Sequence, residues 1–181
     1  KPDDYKISND RINPYHFVSN LFDLLNCNDI VICGNASATI IPFQIGRIKF
    51  GQRLISNSGC ASMGYDLPAA IGAAIAAPSR RIICLAGDGS IMMNIQDLIT
   101  IRNYNLNITI FILENDGYLS IKQTQNNFFG KEHGSSSGSG LMFPDFEYFA
   151  KACDVSYKKL DSKLYCDQLD DILNKNTGAQ V

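Results

Sequence analysis

Arg81-Ile82-Ile83-Cys84-Leu85-Ala86-Gly87-Asp88-Gly89-Ser90 decides the architecture. From Ile82 to Ala86 the chain is apolar without interruption, the pattern of a strand buried on both faces. Gly87-Asp88-Gly89 then breaks it, since Gly and Asp both favour turns, and Ser90 opens a helix. A buried strand that hands over to a helix through a tight turn is the start of a βα unit.

The same rhythm extends in both directions. Downstream, the spacing predicts a helix from Asn94 to Asn103 and a strand from Asn107 to Leu113, closed by Asn115-Asp116-Gly117. Upstream, Gly64 to Ala77 reads as a small-residue helix, and Asp29 to Cys33 as a strand ending in Gly34-Asn35. Pro14 to Leu25 carries Phe17, Leu21, Leu24 and Leu25 at helical spacing, with Asn13 and Pro14 suited to its start. Two more helices are expected at Pro144–Cys153 and Leu164–Leu173. Alternating strands and helices with near-continuous apolar strands predict an α/β fold, a parallel sheet covered by helices on both faces. No internal repeat is present. Gly134-Ser-Ser-Ser-Gly-Ser-Gly140 is the one low-complexity stretch. Three readings of it stay open: a flexible surface loop, an engineered linker or an active-site lid.

Composition bounds the function classes. The 181 residues are 45% hydrophobic and 19% charged, enough for one buried core and short for two, so residues 1–181 are expected to form one domain. The net charge is -2 and no Lys/Arg cluster stands out, so no nucleic-acid footprint is expected. Leu67–Pro78, the longest weakly polar stretch, falls far short of the ~20 residues that cross a bilayer, so no membrane partner is expected and it reads as a buried helix. The six cysteines form no CxxC pair and read as reduced core cysteines of a cytoplasmic protein. The chain opens Lys1-Pro2-Asp3-Asp4, and Gly178–Val181 reads as the beginning of a strand, so both ends look cut from a longer protein. The absence of a signal peptide at residue 1 therefore says little.

Asp88 and Asn115 are the candidate chemistry. Each follows a predicted parallel strand, which puts both at the sheet edge where open α/β folds bind ligands. Backbone N–H groups at the helix start after Gly89 suit a phosphate. A carboxylate, an amide oxygen and a nearby carbonyl are hard ligands for Mg²⁺ or Ca²⁺ and poor ones for zinc. Magnesium completes its octahedron with phosphates and water, so a site with so few protein ligands implies a phosphorylated partner. The usual competitors are missing: Met92 takes the place of the third glycine of GxGxxG, and there is no GxxxxGK[ST] or GxSxG. His16 and His133 are isolated. By itself, however, Gly-Asp-Gly is also an ordinary strand-to-helix turn.

Ile71-Gly72, Pro78 and Ile83-Cys84-Leu85-Ala86-Gly87-Asp88-Gly89-Ser90, with Asn115 at the matching distance, resemble the signature of thiamine-diphosphate-dependent enzymes. Ser58-Gly59, Met63-Gly64-Tyr65 and Leu67-Pro68-Ala69-Ala70-Ile71-Gly72-Ala73 are similar to acetolactate synthase large subunits. The resemblance runs from Ile30 to Phe128 and implies the carboxy-terminal, diphosphate-binding domain of such an enzyme. It implies that Asp88 and Asn115 hold Mg²⁺ by side chain and Gly117 by its carbonyl. It implies that Gly87, Gly89 and Ser90 lie along the diphosphate, the last two through backbone amides, and that Gly34-Asn35-Ala36 forms a second diphosphate loop. Acetolactate synthases often carry Gln-His there, which leaves the contacts of Asn35 open. Ala61, Tyr118 and Leu119 also fall along the cofactor. Met63 matches the bulky residue that wedges between the two cofactor rings and serves catalysis; a core methionine is the alternative. Asp66 stands where relatives often have Gly, and it matches no ligand.

The implied activity is thiamine-diphosphate- and Mg²⁺-dependent decarboxylation of a 2-keto acid, pyruvate foremost, with ligation of the two-carbon unit to a second carbonyl. A simple 2-keto acid decarboxylase and a non-catalytic phosphate-ligand module are the alternatives. Pyruvate decarboxylases carry a proton-handling glutamate where this chain has Ile121. In the family, a glutamate on the pyrimidine-binding domain of a neighbouring subunit activates the ring. No residue here matches it, so the resemblance implies a homodimer or homotetramer in which this chain supplies half a site.

Overall fold

The computed structural model describes residue 6, residues 10–174 and residue 181. Within them, α1 (Pro14–Leu24), β1 (Ile30–Cys33), α2 (Ser37–Ile45), β2 (Arg53–Ser56), α3 (Asp66–Ala76), β3 (Ile82–Gly87) and α4 (Asp88–Ile91) follow in turn. A 3₁₀ turn at Ile95–Asp97 leads into α5 (Leu98–Asn103), β4 (Ile108–Leu113) and α6 (Leu119–Phe129). A second 3₁₀ turn at Ser137–Ser139 precedes α7 (Phe146–Ala152) and α8 (Tyr165–Asn174).

The four strands form one sheet in the order β2-β1-β3-β4, and every pairing is parallel. Strand side chains alternate between faces, and each face has its own core. Ile30, Ile32, Ile82, Cys84, Ala86, Ile108 and Ile110 pack with Leu67, Ala70 and Ala74 of α3, Leu98 and Ile101 of α5, and Phe146 and Ala150 of α7. Val31, Cys33, Ile83, Leu85 and Phe111 pack on the other face with Phe17, Leu21 and Phe22 of α1, Ala38 and Ile41 of α2, and Leu169 and Leu173 of α8. The expected α/β sheet with helices on both faces is therefore present, and the double coverage explains why β3 carries no polar side chain.

Local signals acted as expected where they were strong. The Asn13 side chain accepts the Tyr15 N–H at 2.9 Å, and Pro14 occupies the first turn of α1. The expected helix over 94–103 instead divides into the 3₁₀ turn and α5. Three elements had no sequence signal. α2 contains Pro42, a residue that argues against a helix interior. β2 is a four-residue edge strand with only partial burial. α6 buries none of its side chains, so it shows no apolar stripe. The expected strand over 178–181 lies outside the described residues except for Val181, whose N–H donates to Ser156 at 2.8 Å and whose carbonyl accepts from Lys158 at 3.0 Å.

All six cysteines are free thiols; Cys33, Cys84 and Cys153 are buried, but Cys27, Cys60 and Cys166 are exposed, so only half of them are core residues. Burial pushes the Cys33 thiol up to about 12. No helix among the described residues is long and apolar enough to cross a membrane.

Candidate cofactor-diphosphate and metal site

Register fixes where the loops meet. Cys33 pairs with Leu85, and Gly87 with Leu113. The turns that follow β1, β3 and β4 thus emerge side by side at the carboxyl edge, the ligand-binding edge of a parallel sheet. They contain Gly34-Asn35-Ala36, Gly87–Ser90 and Asn115–Leu119. The loop after β2 carries Ala61 and Met63 to the same edge: the Asn35 side-chain amide donates to the Ala61 carbonyl, and the Gly64 N–H donates to Ser90 Oγ at 3.0 Å.

Asp88 organises the centre of this edge. Its Oδ1 accepts the Gly89 N–H at 2.7 Å, and its Oδ2 accepts the N–H groups of Asn115 at 2.9 Å and Gly117 at 3.1 Å. One carboxylate therefore ties the β3 turn to the β4 turn. It is 1% exposed. Asp88 therefore holds the loop as well as being a candidate ligand. A carboxylate has about four lone-pair sites, so Asp88 keeps acceptor capacity after these three bonds.

Asn115 Oδ1 supplies the test of whether a cation fits. It is buried and accepts no hydrogen bond among the described residues. A buried orphan acceptor is costly and calls for an ion or water. An amide oxygen with spare capacity next to a carboxylate is a donor set for a hard cation. The Gly117 carbonyl already accepts the Leu119 N–H at 3.0 Å, which leaves it one lone pair. No group of three or more His, Cys, Asp or Glu that could hold a metal occurs among the described residues. The protein oxygens here are few, and phosphate oxygens would have to complete the shell.

The remaining predicted residues surround this point. Tyr118 lies so close over Gly89 that a Cβ on Gly89 would collide with its ring, and Phe143 meets Tyr118 edge-on with centroids 6.4 Å apart. Leu119 is partly exposed at the start of α6. Met63 is 38% exposed, so it is not the core methionine of the alternative reading. Ser90 turns its hydroxyl inward, donating to Asp66 Oδ2 at 2.7 Å, which leaves the backbone as the part of Ser90 able to meet a ligand. Ile121 is 43% exposed rather than packed in the core.

The glycine–serine stretch is a built turn. Ser135 and Ser136 are buried. The Ser135 carbonyl accepts the Tyr118 N–H at 2.9 Å, Ser136 Oγ donates to Glu132 at 2.8 Å, and the Ser137 N–H donates to Asp116 at 3.2 Å. Hydrogen bonding from Ser137 holds the Asp116 carboxyl below its ordinary range. The stretch therefore buttresses the Asn115–Tyr118 turn and is not the loose loop its composition suggests.

From the sequence alone, Asp66 had no part at this edge. The signal was a lone carboxylate amid small and apolar residues. It is fully buried and accepts the Ser90 hydroxyl and the Leu67 N–H at 3.0 Å. Burial raises its pKa from 3.8, and the bonds from Ser90 and Leu67 oppose that rise. An acid whose folded pKa is raised binds its proton more tightly in the native state. Its contribution to stability is complete below 3.8 and is lost as pH climbs towards the raised value. Asp66→Asn should lack this loss, so the stability difference between variant and wild type should move in the variant's favour from acid to neutral pH. Urea melts across that range measure it; parallel curves would contradict the account.

A parallel α/β sheet whose carboxyl edge gathers three glycine-bearing turns, the Asp88 carboxylate and the unpartnered Asn115 amide oxygen has the layout of a ligand-binding α/β domain. More particularly, the family model "Thiamine pyrophosphate enzyme, C-terminal TPP binding domain" matches residues 34–180, and the chain belongs to that family. It is similar to acetolactate synthase 1, chloroplastic, of Nicotiana tabacum, 32% identical over 159 residues that cover 85% of this chain and 24% of the relative. It is likewise similar to the acetolactate synthase large subunit of Buchnera aphidicola, 33% identical over 143 residues, covering 79% and 25%. The probable acetolactate synthase large subunit of Methanococcus aeolicus is 38% identical over 111 residues, covering 61% and 18%. The chain spans about a quarter of the length of the curated relatives it matches.

Proposed function

We propose that this chain is the diphosphate-holding domain of a longer acetolactate-synthase-like enzyme, cytoplasmic and dimeric or tetrameric. The enzyme decarboxylates a 2-keto acid, pyruvate foremost, and joins the two-carbon unit to a second carbonyl. The observation that carries the reading is the orphaned, buried Asn115 Oδ1 of a residue whose backbone N–H donates to the Asp88 carboxylate, in a chain of the thiamine-pyrophosphate-binding family.

Bound here, thiamine diphosphate would supply the carbanion chemistry at its thiazolium C2. The chain's own residues bind and orient. Asp88, Asn115 and the Gly117 carbonyl would hold Mg²⁺; Gly87, Gly89 and Ser90 would lie along the diphosphate, the Gly89 N–H being already donated to Asp88 Oδ1; Gly34, Asn35 and Ala36 would form the second diphosphate loop. Ala61, Tyr118 and Leu119 line the cofactor. Met63, 38% exposed, would wedge between the rings. The ring-activating glutamate comes from the pyrimidine-binding domain of a neighbouring subunit.

Ile121 bears on the product. Its apolar side chain stands where pyruvate decarboxylases hold a proton-handling glutamate, and it delivers no proton. Carbon–carbon bond formation is therefore expected to outrun aldehyde release. The intact protein, given pyruvate alone and with acceptor keto acids or aldehydes, should yield mainly ligated products by mass spectrometry. Acetaldehyde as the main product under every condition would favour the simple decarboxylase reading.

A further inference from the structure

Three of the loops assigned to the cofactor rest on one buried carboxylate that is not itself a ligand. Asp66 opens α3 at 0% exposure, and no ion pair compensates it among the described residues. Its Oδ2 accepts the Ser90 hydroxyl at 2.7 Å, inside the turn after β3. Ser90 Oγ in turn accepts the Gly64 N–H at 3.0 Å, one residue from Met63. The Asn94 side-chain amide holds the other side of Gly64, donating to its carbonyl at 2.5 Å. Gly64 has φ +77°, and a Cβ there would stand 2.6 Å from Met93 Cβ, so the Met63 loop is pressed against the segment after α4. The same oxygen also closes on the turn after β1: a Cβ on Gly34 would lie 2.7 Å from Asp66 Oδ2.

We propose that Asp66 is a positioning residue that, through Ser90 Oγ, fixes the two diphosphate turns and the Met63 loop in one relative arrangement before the cofactor arrives. The inference rests on the thiamine-diphosphate reading. The physical reason is preorganisation: burying a carboxylate without a cation is expensive, and here that carboxylate ties together segments far apart in sequence. A site held ready binds more tightly than one the ligand must order. Asparagine at 66 retains an oxygen to accept from Ser90; alanine does not. Removing Ser90 Oγ breaks the same chain of bonds while leaving the Ser90 backbone amide in place.

Calorimetric titration of the intact protein with thiamine diphosphate at saturating Mg²⁺ tests this. Asp66→Ala and Ser90→Ala are each expected to raise Kd about 10-fold, as loss of a charge-assisted hydrogen bond typically does. The double variant should bind no more weakly than the poorer single one, since members of one network are not additive. Asp66→Asn should stay within about 3-fold of wild type, because its amide oxygen still accepts. A lowered melting temperature with unchanged Kd in Asp66→Ala would reduce the residue to a structural one and overturn the proposal. So would additive effects, or an Asp66→Asn variant as weak as Asp66→Ala. Should Asp66→Ala not fold, an unchanged Kd in Ser90→Ala overturns it alone. Wild-type protein that binds no thiamine diphosphate would overturn the cofactor reading itself, an outcome distinct from all of these.

Discussion

Asp88→Ala is expected to abolish metal-dependent thiamine-diphosphate binding, raising Kd by at least about 100-fold. Changes in groups that merely support a metal's ligands cost about 10–100-fold, and Asp88 is placed to be a ligand itself. It also loses the acceptor for the N–H groups of Gly89, Asn115 and Gly117. Leaving buried donors unsatisfied costs about 1–3 kcal/mol each, so part of the effect passes through a loosened Asn115–Tyr118 turn. Asp88→Asn separates the contributions. It keeps the shape and one accepting oxygen but loses the charge, so it should melt closer to wild type while still failing to bind cofactor with Mg²⁺. Calorimetry beside thermal melts reads both quantities. Unchanged binding in Asp88→Asn would remove Asp88 from the metal site.

The 181-residue chain alone should turn over no pyruvate. Two buried carboxylates at this edge serve the fold, Asp88 accepting three backbone N–H groups and Asp66 accepting from Ser90 and Leu67, and no residue of the chain matches the family's ring-activating glutamate. Positioned proton transfer is typically worth ~10²–10⁴-fold, and turnover should fall by that much or more relative to the intact protein. Supplying the pyrimidine-binding domain should restore it. Measurable pyruvate consumption by the chain alone would show that the half-site reading is mistaken.

What the sequence made legible follows from how locally each feature is encoded. β3 and β4 are short runs of apolar residues bounded by Gly, Asp and Asn, so their existence and ends are written in adjacent letters. That Asp88 and Asn115 meet at one edge was legible for the same reason: each sits just after such a run, and parallel strands bring their ends together. α2, β2 and α6 were not legible. Pro42 masks the first, brevity and an edge position the second, and the third buries no side chain. Asp66 was hidden differently. Its meaning lies in contacts with Ser90 and Gly34, far away in the chain, and no periodicity announces them. The glycine–serine stretch misled because composition measures what a segment can do alone, whereas Ser135, Ser136 and Ser137 are held by Tyr118, Glu132 and Asp116.

The central claim is that Asp88 and Asn115 present a hard-cation site whose shell is completed by a diphosphate. Calorimetric titration of the wild-type protein with thiamine diphosphate, with Mg²⁺ and then with excess EDTA, tests it most directly, with ATP as the competing ligand. The account predicts saturable thiamine-diphosphate binding that needs Mg²⁺, disappears with EDTA and is not displaced by ATP. Binding that survives EDTA, or a site that takes up ATP in preference to thiamine diphosphate, would contradict it.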